Sequence, residues 1–95
     1  MDISGMEFKK TLLNQIKDYL DGKITKEEYS MISEEFYSEY ADTCDDQLFH
    51  ERYLNTVADA CLFYVDEPAG VLSPEKMEEL FYQSLSEAYG ELQDL

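Results

Sequence analysis

Gly22-Lys23-Ile24-Thr25-Lys26-Glu27-Glu28-Tyr29 holds the clearest start signal in the chain. Thr25 is a good helix N-cap, and Glu28, three residues later, completes a capping box that satisfies two amide donors reciprocally. Ile24 before the cap and Tyr29 after it are placed as a hydrophobic staple. Just upstream, Asp21-Gly22 ends another helical pattern, with Gly22 suited to the left-handed position past a helix end. One helix therefore stops and a second starts within a few residues, so the chain turns sharply here.

The period on either side agrees. Upstream, Phe8, Leu12, Ile16, Tyr19 and Leu20 make one apolar stripe and predict a helix over 6–20, with Met1 to Gly5 as a loose lead-in. Downstream, Tyr29, Ile32, Phe36 and Tyr40 are the expected buried stripe of a helix over 26–41. A third helix is predicted over 46–65. Its inner face is Phe49, Tyr53, Val57, Ala60 and Tyr64 with Cys61 beside them, and Leu48, Leu54, Leu62 and Val65 widen it. As the most apolar of the four, this helix is expected to lie centrally. It stops before Pro68 and Gly70. Ser73 as cap and Pro74 at the first helical position open a fourth helix over 74–92, where Pro's missing N–H costs nothing. Its inner face is Met77, Leu80, Phe81, Ser84, Leu85, Ala88 and Leu92, and Gly90 is expected to fray its last turn.

Four helices with short connections in a chain of 95 residues predict one all-α domain, an antiparallel up-down four-helix bundle. Scarce glycine and proline disfavour a turn-rich β fold. Two cysteines at no metal-ligand spacing, no secretory leader and no apolar run of membrane length predict a cytoplasmic protein with reduced thiols. Cys61 reads as core, and Cys44, in a polar junction, as a thiol that could be exposed.

Catalytic chemistry has little to stand on. The single histidine, His50, falls on the flank of the third helix and reads as structural. Neither cysteine has a basic activator nearby in sequence. The alternating Asp/Asn calcium loop is absent, and di-iron bundles need two Glu-x-x-His pairs. Phosphate loops and basic nucleic-acid patches are missing as well. The expectation is no enzyme, no cofactor and no metal.

The charge is the outlier, with 22 Asp and Glu against 7 Lys and Arg, a net −15. Such a field repels nucleic acid and anionic membrane and attracts basic protein surfaces. It is also unevenly placed. Nine acids lie between residues 27 and 51 with no Lys or Arg among them. On the second helix Glu28, Glu35, Glu39 and Asp42 fall on one stripe. Glu35 and Glu39 repel at i,i+4, and Glu39 and Asp42 sit where the helix dipole prefers cations. A second group surrounds the turn into the fourth helix: Asp59 and Asp66, seven residues apart on one face, then Glu67, Glu75, Glu78 and Glu79. Tyr82 and Tyr89 project beside them, outside the inner stripe. Tyrosine among carboxylates suits a protein interface, since tyrosine anchors and acids steer a basic partner. A solvated acidic face that aids solubility is the plainer reading.

The run from Ile16 through Gly22-Lys23-Ile24-Thr25 to Tyr29 resembles the opening of colicin D-type immunity proteins, where a helix enters a "GKIT" turn followed by Glu and an aromatic. Leu62-Phe63-Tyr64-Val65-Asp66-Glu67-Pro68 is similar to that family's third-helix end, and Pro74-Glu75-Lys76-Met77 fits in position. The resemblance implies a four-helix immunity protein. It would bind a cognate basic nuclease toxin domain 1:1, a tRNase in the colicin D case, with carboxylates in place of RNA phosphates. It implies no direct contact with nucleic acid or membrane. Asp66 and Glu67 match the family's acidic helix end, so their amides are expected to cost the most binding. The departure is at Pro68, where acids precede the proline but Ala69 follows it. The alternative is an acidic adaptor or regulatory helical bundle for another basic protein.

Overall fold

A computed structural model of the chain describes residues 4–65 and 72–95. Those residues form four helices and no strand. Helix α1 is Gly5–Leu20 and α2 is Lys26–Tyr40, followed by a 3-10 turn, Ala41–Thr43. Helix α3 is a rod over 47–64 made of three consecutive pieces: α-helical Gln47–Tyr53, a π-helical segment Leu54–Ala58, and α-helical Asp59–Tyr64. Helix α4 is Pro74–Gln93.

Side chains start each helix. Ser4, Thr25, Asp46 and Ser73 accept from the amides of Glu7, Glu28, Phe49 and Lys76. The Glu28 carboxylate returns the bond to the Thr25 amide at 2.9 Å, completing the box that the sequence announces. Gly22 stands at φ 79°, the left-handed conformation that ends α1. Gly5 has a different reason to be glycine: a Cβ there would lie 3.2 Å from the Thr43 carbonyl oxygen, so α1 begins against the α2–α3 junction. Helix α1 thus starts one residue before the predicted 6, inside the expected lead-in. Gly90 does not fray α4, which continues to Gln93.

The core is aromatic. Phe8, Leu12 and Ile16 of α1 meet Tyr29, Phe49, Val57, Phe81 and Leu85, all essentially without solvent contact. Phe8 stacks on Phe36 at 5.8 Å and meets Phe49 edge-on at 6.3 Å. Such pairs add about 0.5–1.5 kcal/mol beyond the area they bury. Helix α1 rests on α2 and α4, and α3 rests on α4.

Three further expectations change. On α2 the buried line is Tyr29, Ser30 and Ser33, with Phe36, Tyr37 and Tyr40 half-buried, while Ile32 is 40% exposed. The helix is rotated so that serines, not the larger Ile32, face inward. On α3 the predicted inner face holds, but Leu48, Leu54 and Leu62 stay exposed instead of widening the core. The thiols exchange places: Cys44 is buried at 6% exposure and Cys61 is half-buried. Cys44 sits where the start of α1 closes over the junction, a contact that no local pattern encodes.

Candidate functional site

The predicted acids do not form one surface, but part of them assembles around a tyrosine. The Tyr19 hydroxyl at the end of α1 donates to Glu78 Oε2 on α4 at 2.6 Å. Its ring meets Phe81 edge-on at 5.1 Å, and Tyr82 lies 6.1 Å away. Burial pushes the Tyr19 phenol well above its ordinary range, and the hydrogen bond and charge of Glu78 and the charge of Glu27 push it further. Glu27 of α2 and Glu78 of α4, remote in sequence, therefore act on one hydroxyl. Tyr82 is 49% exposed beside them. The result is an aromatic platform edged by carboxylates from two helices.

The remaining candidates are spread out. Glu75 is exposed in the first turn of α4, and Glu79 lies 3.9 Å from Lys76 one turn away, an exposed pair of little energetic weight. Glu35, Glu39 and Asp42 are exposed on α2 and its 3-10 extension, with no ion pair among the described residues. Asp59 faces a shallow cleft between α3 and α4, about 200 Å³, with Phe63, Glu87 and Glu91. Asp66 and Glu67 lie outside the described residues. Tyr89 is half-buried and packs against the core, so it is no surface partner of Tyr82.

Two acids of the 27–51 run are structural. Glu28 closes the capping box. Asp46 caps α3 and pairs with Lys9 of α1 at 2.5 Å, and the lysine with the Phe49 amide holds its carboxyl below the usual value. His50 is also structural. Its Nε2 stands 2.8 Å from the Cys44 carbonyl, which only accepts, so Nε2 carries the hydrogen and Nδ1 accepts from the Tyr37 hydroxyl at 2.7 Å.

The sequence reading missed an open seam between α2 and α3. The two helices are tied near both ends. Lys26 Nζ donates to the Tyr64 carbonyl at 3.0 Å, and Tyr37 bonds His50 and stacks on Tyr53 at 4.7 Å. Between the ties their backbones make few close approaches. A cleft of about 290 Å³ remains there, lined by Ser33, Glu34, Leu54, Val57, Cys61 and Leu62 among others. The cause is compositional: α2 offers serines to this seam, and serine cannot fill the space a leucine would. The α3 wall includes the π-helical segment, where the Thr56 hydroxyl takes the Arg52 carbonyl at 2.6 Å, the acceptor its own amide would use in an α turn. A sequence signal did exist: Leu54 and Leu62 stand off the main apolar stripe.

No helix of the described residues is long and apolar enough to cross a membrane. No group of three or more His, Cys, Asp or Glu is arranged to hold a metal ion among the described residues. No family model, curated protein or solved structure matches the chain.

Proposed function

We propose that the protein is an immunity protein, a stoichiometric inhibitor that blocks the active site of a cognate basic nuclease toxin by offering carboxylates where RNA phosphates would bind. The Tyr19–Glu78–Tyr82 group carries the reading. An exposed tyrosine ring beside unneutralised carboxylates resembles, to a basic cleft, a base beside its phosphates. The exposed acids of α2 extend the negative field and speed association with a positive surface. The sequence resemblance makes a tRNA-cutting toxin the leading partner, and such an inhibitor works in the cytoplasm, where tRNA is. The same reading takes the helices as an up-down antiparallel bundle. It is supported by contacts that join Tyr19 late in α1 to Glu78 early in α4, and Arg52 early in α3 to Glu91 late in α4.

Co-expression tests the reading. Cells making this chain with its cognate toxin should survive, and purified partners should titrate 1:1 with association slowed by salt. Death as fast as with toxin alone rejects it. Within the complex, D66N with E67Q should cost the most affinity. If affinity is unchanged, the interface moves to the acidic second helix. The open α2–α3 seam favours a second reading, an adaptor that takes up part of another basic protein, and a partner without nuclease activity would select it.

A further inference from the structure

We infer that the cleft between α2 and α3 is a docking groove for a basic amphipathic helix of a partner protein. The groove combines half-exposed leucines, small residues at its floor and acid at its rim. Leu54 and Leu62 are 45% and 56% exposed on one wall, far more than the buried Val57 between them. Ser33 lies at the floor and Glu34 on the opposite wall. No Lys or Arg lines the cleft among the described residues. From Leu54 to Leu62 the wall runs roughly 12 Å at helical rise, room for about two turns of a guest helix.

A helix suits the space because both walls are helices and the seam lacks the side chains that would close it. Two or three apolar residues at i, i+3 and i+4 of a guest would cover Leu54, Val57 and Leu62. Charge selects the guest. With Glu34 in the α2 wall and a net −15 on the chain, lysines or arginines on its flanks are attracted, and a second copy of this chain is repelled. The π-helical segment in the wall fits this use, since such segments gather at functional sites. The groove does not depend on the partner being a nuclease. It lies on a different face from Tyr82 and is tested separately from toxin protection.

The test uses the whole chain and a fluorescent amphipathic leucine–lysine peptide about 18 residues long. Controls are a scrambled peptide of the same composition and a leucine–glutamate version. The amphipathic lysine peptide should bind, with amide shift changes centred on Ser33, Leu54 and Leu62. L62E and L54E should each weaken it by about tenfold or more, the worth of one buried leucine, although the added charge should attract lysine. E34Q should lower affinity and its salt dependence, and D94K, a charge change at the chain's end, should do neither. Both leucines are exposed, and circular dichroism checks that each variant folds. Equal binding of the scrambled peptide, unchanged binding by both leucine variants, or shifts centred on Tyr82 would overturn the inference. So would sedimentation as a dimer that L62E dissociates, because the occupant would then be a second copy.

Discussion

The Tyr19 hydroxyl and the Glu78 carboxylate form a 2.6 Å hydrogen bond that joins the end of α1 to the first turns of α4. Here a surface carboxylate and the side chain of a core tyrosine share a hydrogen bond. Tyr19 is almost fully buried and Glu78 is exposed, so the bond holds a carboxylate in place at the edge of the core.

E78Q should keep the acceptor but remove its charge. Stability should fall by about 1 kcal/mol, less than the usual worth of a charged acceptor, because the amide oxygen still accepts and water screens Glu78. Urea unfolding measures the loss. Ultraviolet titration should show the Tyr19 phenol moving down toward its ordinary range but staying above it, because burial, the larger cause, persists.

Alkali should unfold the protein through its tyrosines. Tyr19, Tyr29, Tyr37 and Tyr53 are all raised above the ordinary value of 10.0, each chiefly by burial. The unfolded chain therefore loses these protons first as pH rises. Their contribution is full below pH 10.0 and is lost as pH climbs toward the folded values. The midpoint temperature should drop steeply with pH above that point. A flat profile there would contradict the burial of the four phenols.

Asp46 works in the opposite direction. Its folded value lies below the ordinary 3.8, first because of the Lys9 hydrogen bond and then the Phe49 amide. On acidification the unfolded chain takes up the proton first, so the contribution is present above pH 3.8 and lost as pH falls through the folded value. D46N retains an N-cap acceptor and loses the charge. It should be less stable than the parent at neutral pH and should converge with it in acid, as read by thermal unfolding at a series of pH values.

Tyr29 should tolerate the loss of its hydroxyl. The group is buried, and no well-formed hydrogen bond satisfies its oxygen among the described residues, although the Ser33 and Tyr53 hydroxyls stand close enough to act on it. A desolvated hydroxyl left unpaired costs about 1–3 kcal/mol, so Y29F should leave stability unchanged or raise it. A measured loss above about 1 kcal/mol in chemical denaturation would mean that the hydroxyl is satisfied.

The two thiols should differ in reactivity. Cys61 borders the α2–α3 cleft and is half-buried, whereas Cys44 lies at 6% exposure under the start of α1. Iodoacetamide followed by peptide mass spectrometry should find Cys61 modified first. Bound amphipathic peptide should slow that modification.

Local instructions settled most of the frame. The Thr25–Glu28 capping box, the Ser73-Pro74 start and the left-handed Gly22 act within one turn of chain, so their outcome was legible without any tertiary partner. The inner faces of α1, α3 and α4 were legible because large apolar residues recur there at helical spacing. Helix α2 was misread at Ile32 because its buried side is serine and tyrosine, which period alone ranks below isoleucine. Rotation of α2 follows instead from the ring contacts of Tyr29, Phe36 and Tyr37 with Phe8, Tyr19 and Tyr53.

By itself the sequence determined four helices, their starts and stops, and an excess of acid too large and too clustered to be neutralised. Those properties depend on neighbours within a few residues or on composition. Tertiary structure alone decided that Glu27 and Glu78 converge on Tyr19, that Cys44 is buried and Cys61 half-open, and that α2 and α3 leave a groove between them. Each of those depends on how one helix is rotated and seated against another. Rotation and seating come from packing summed over the whole core, which no window of sequence contains.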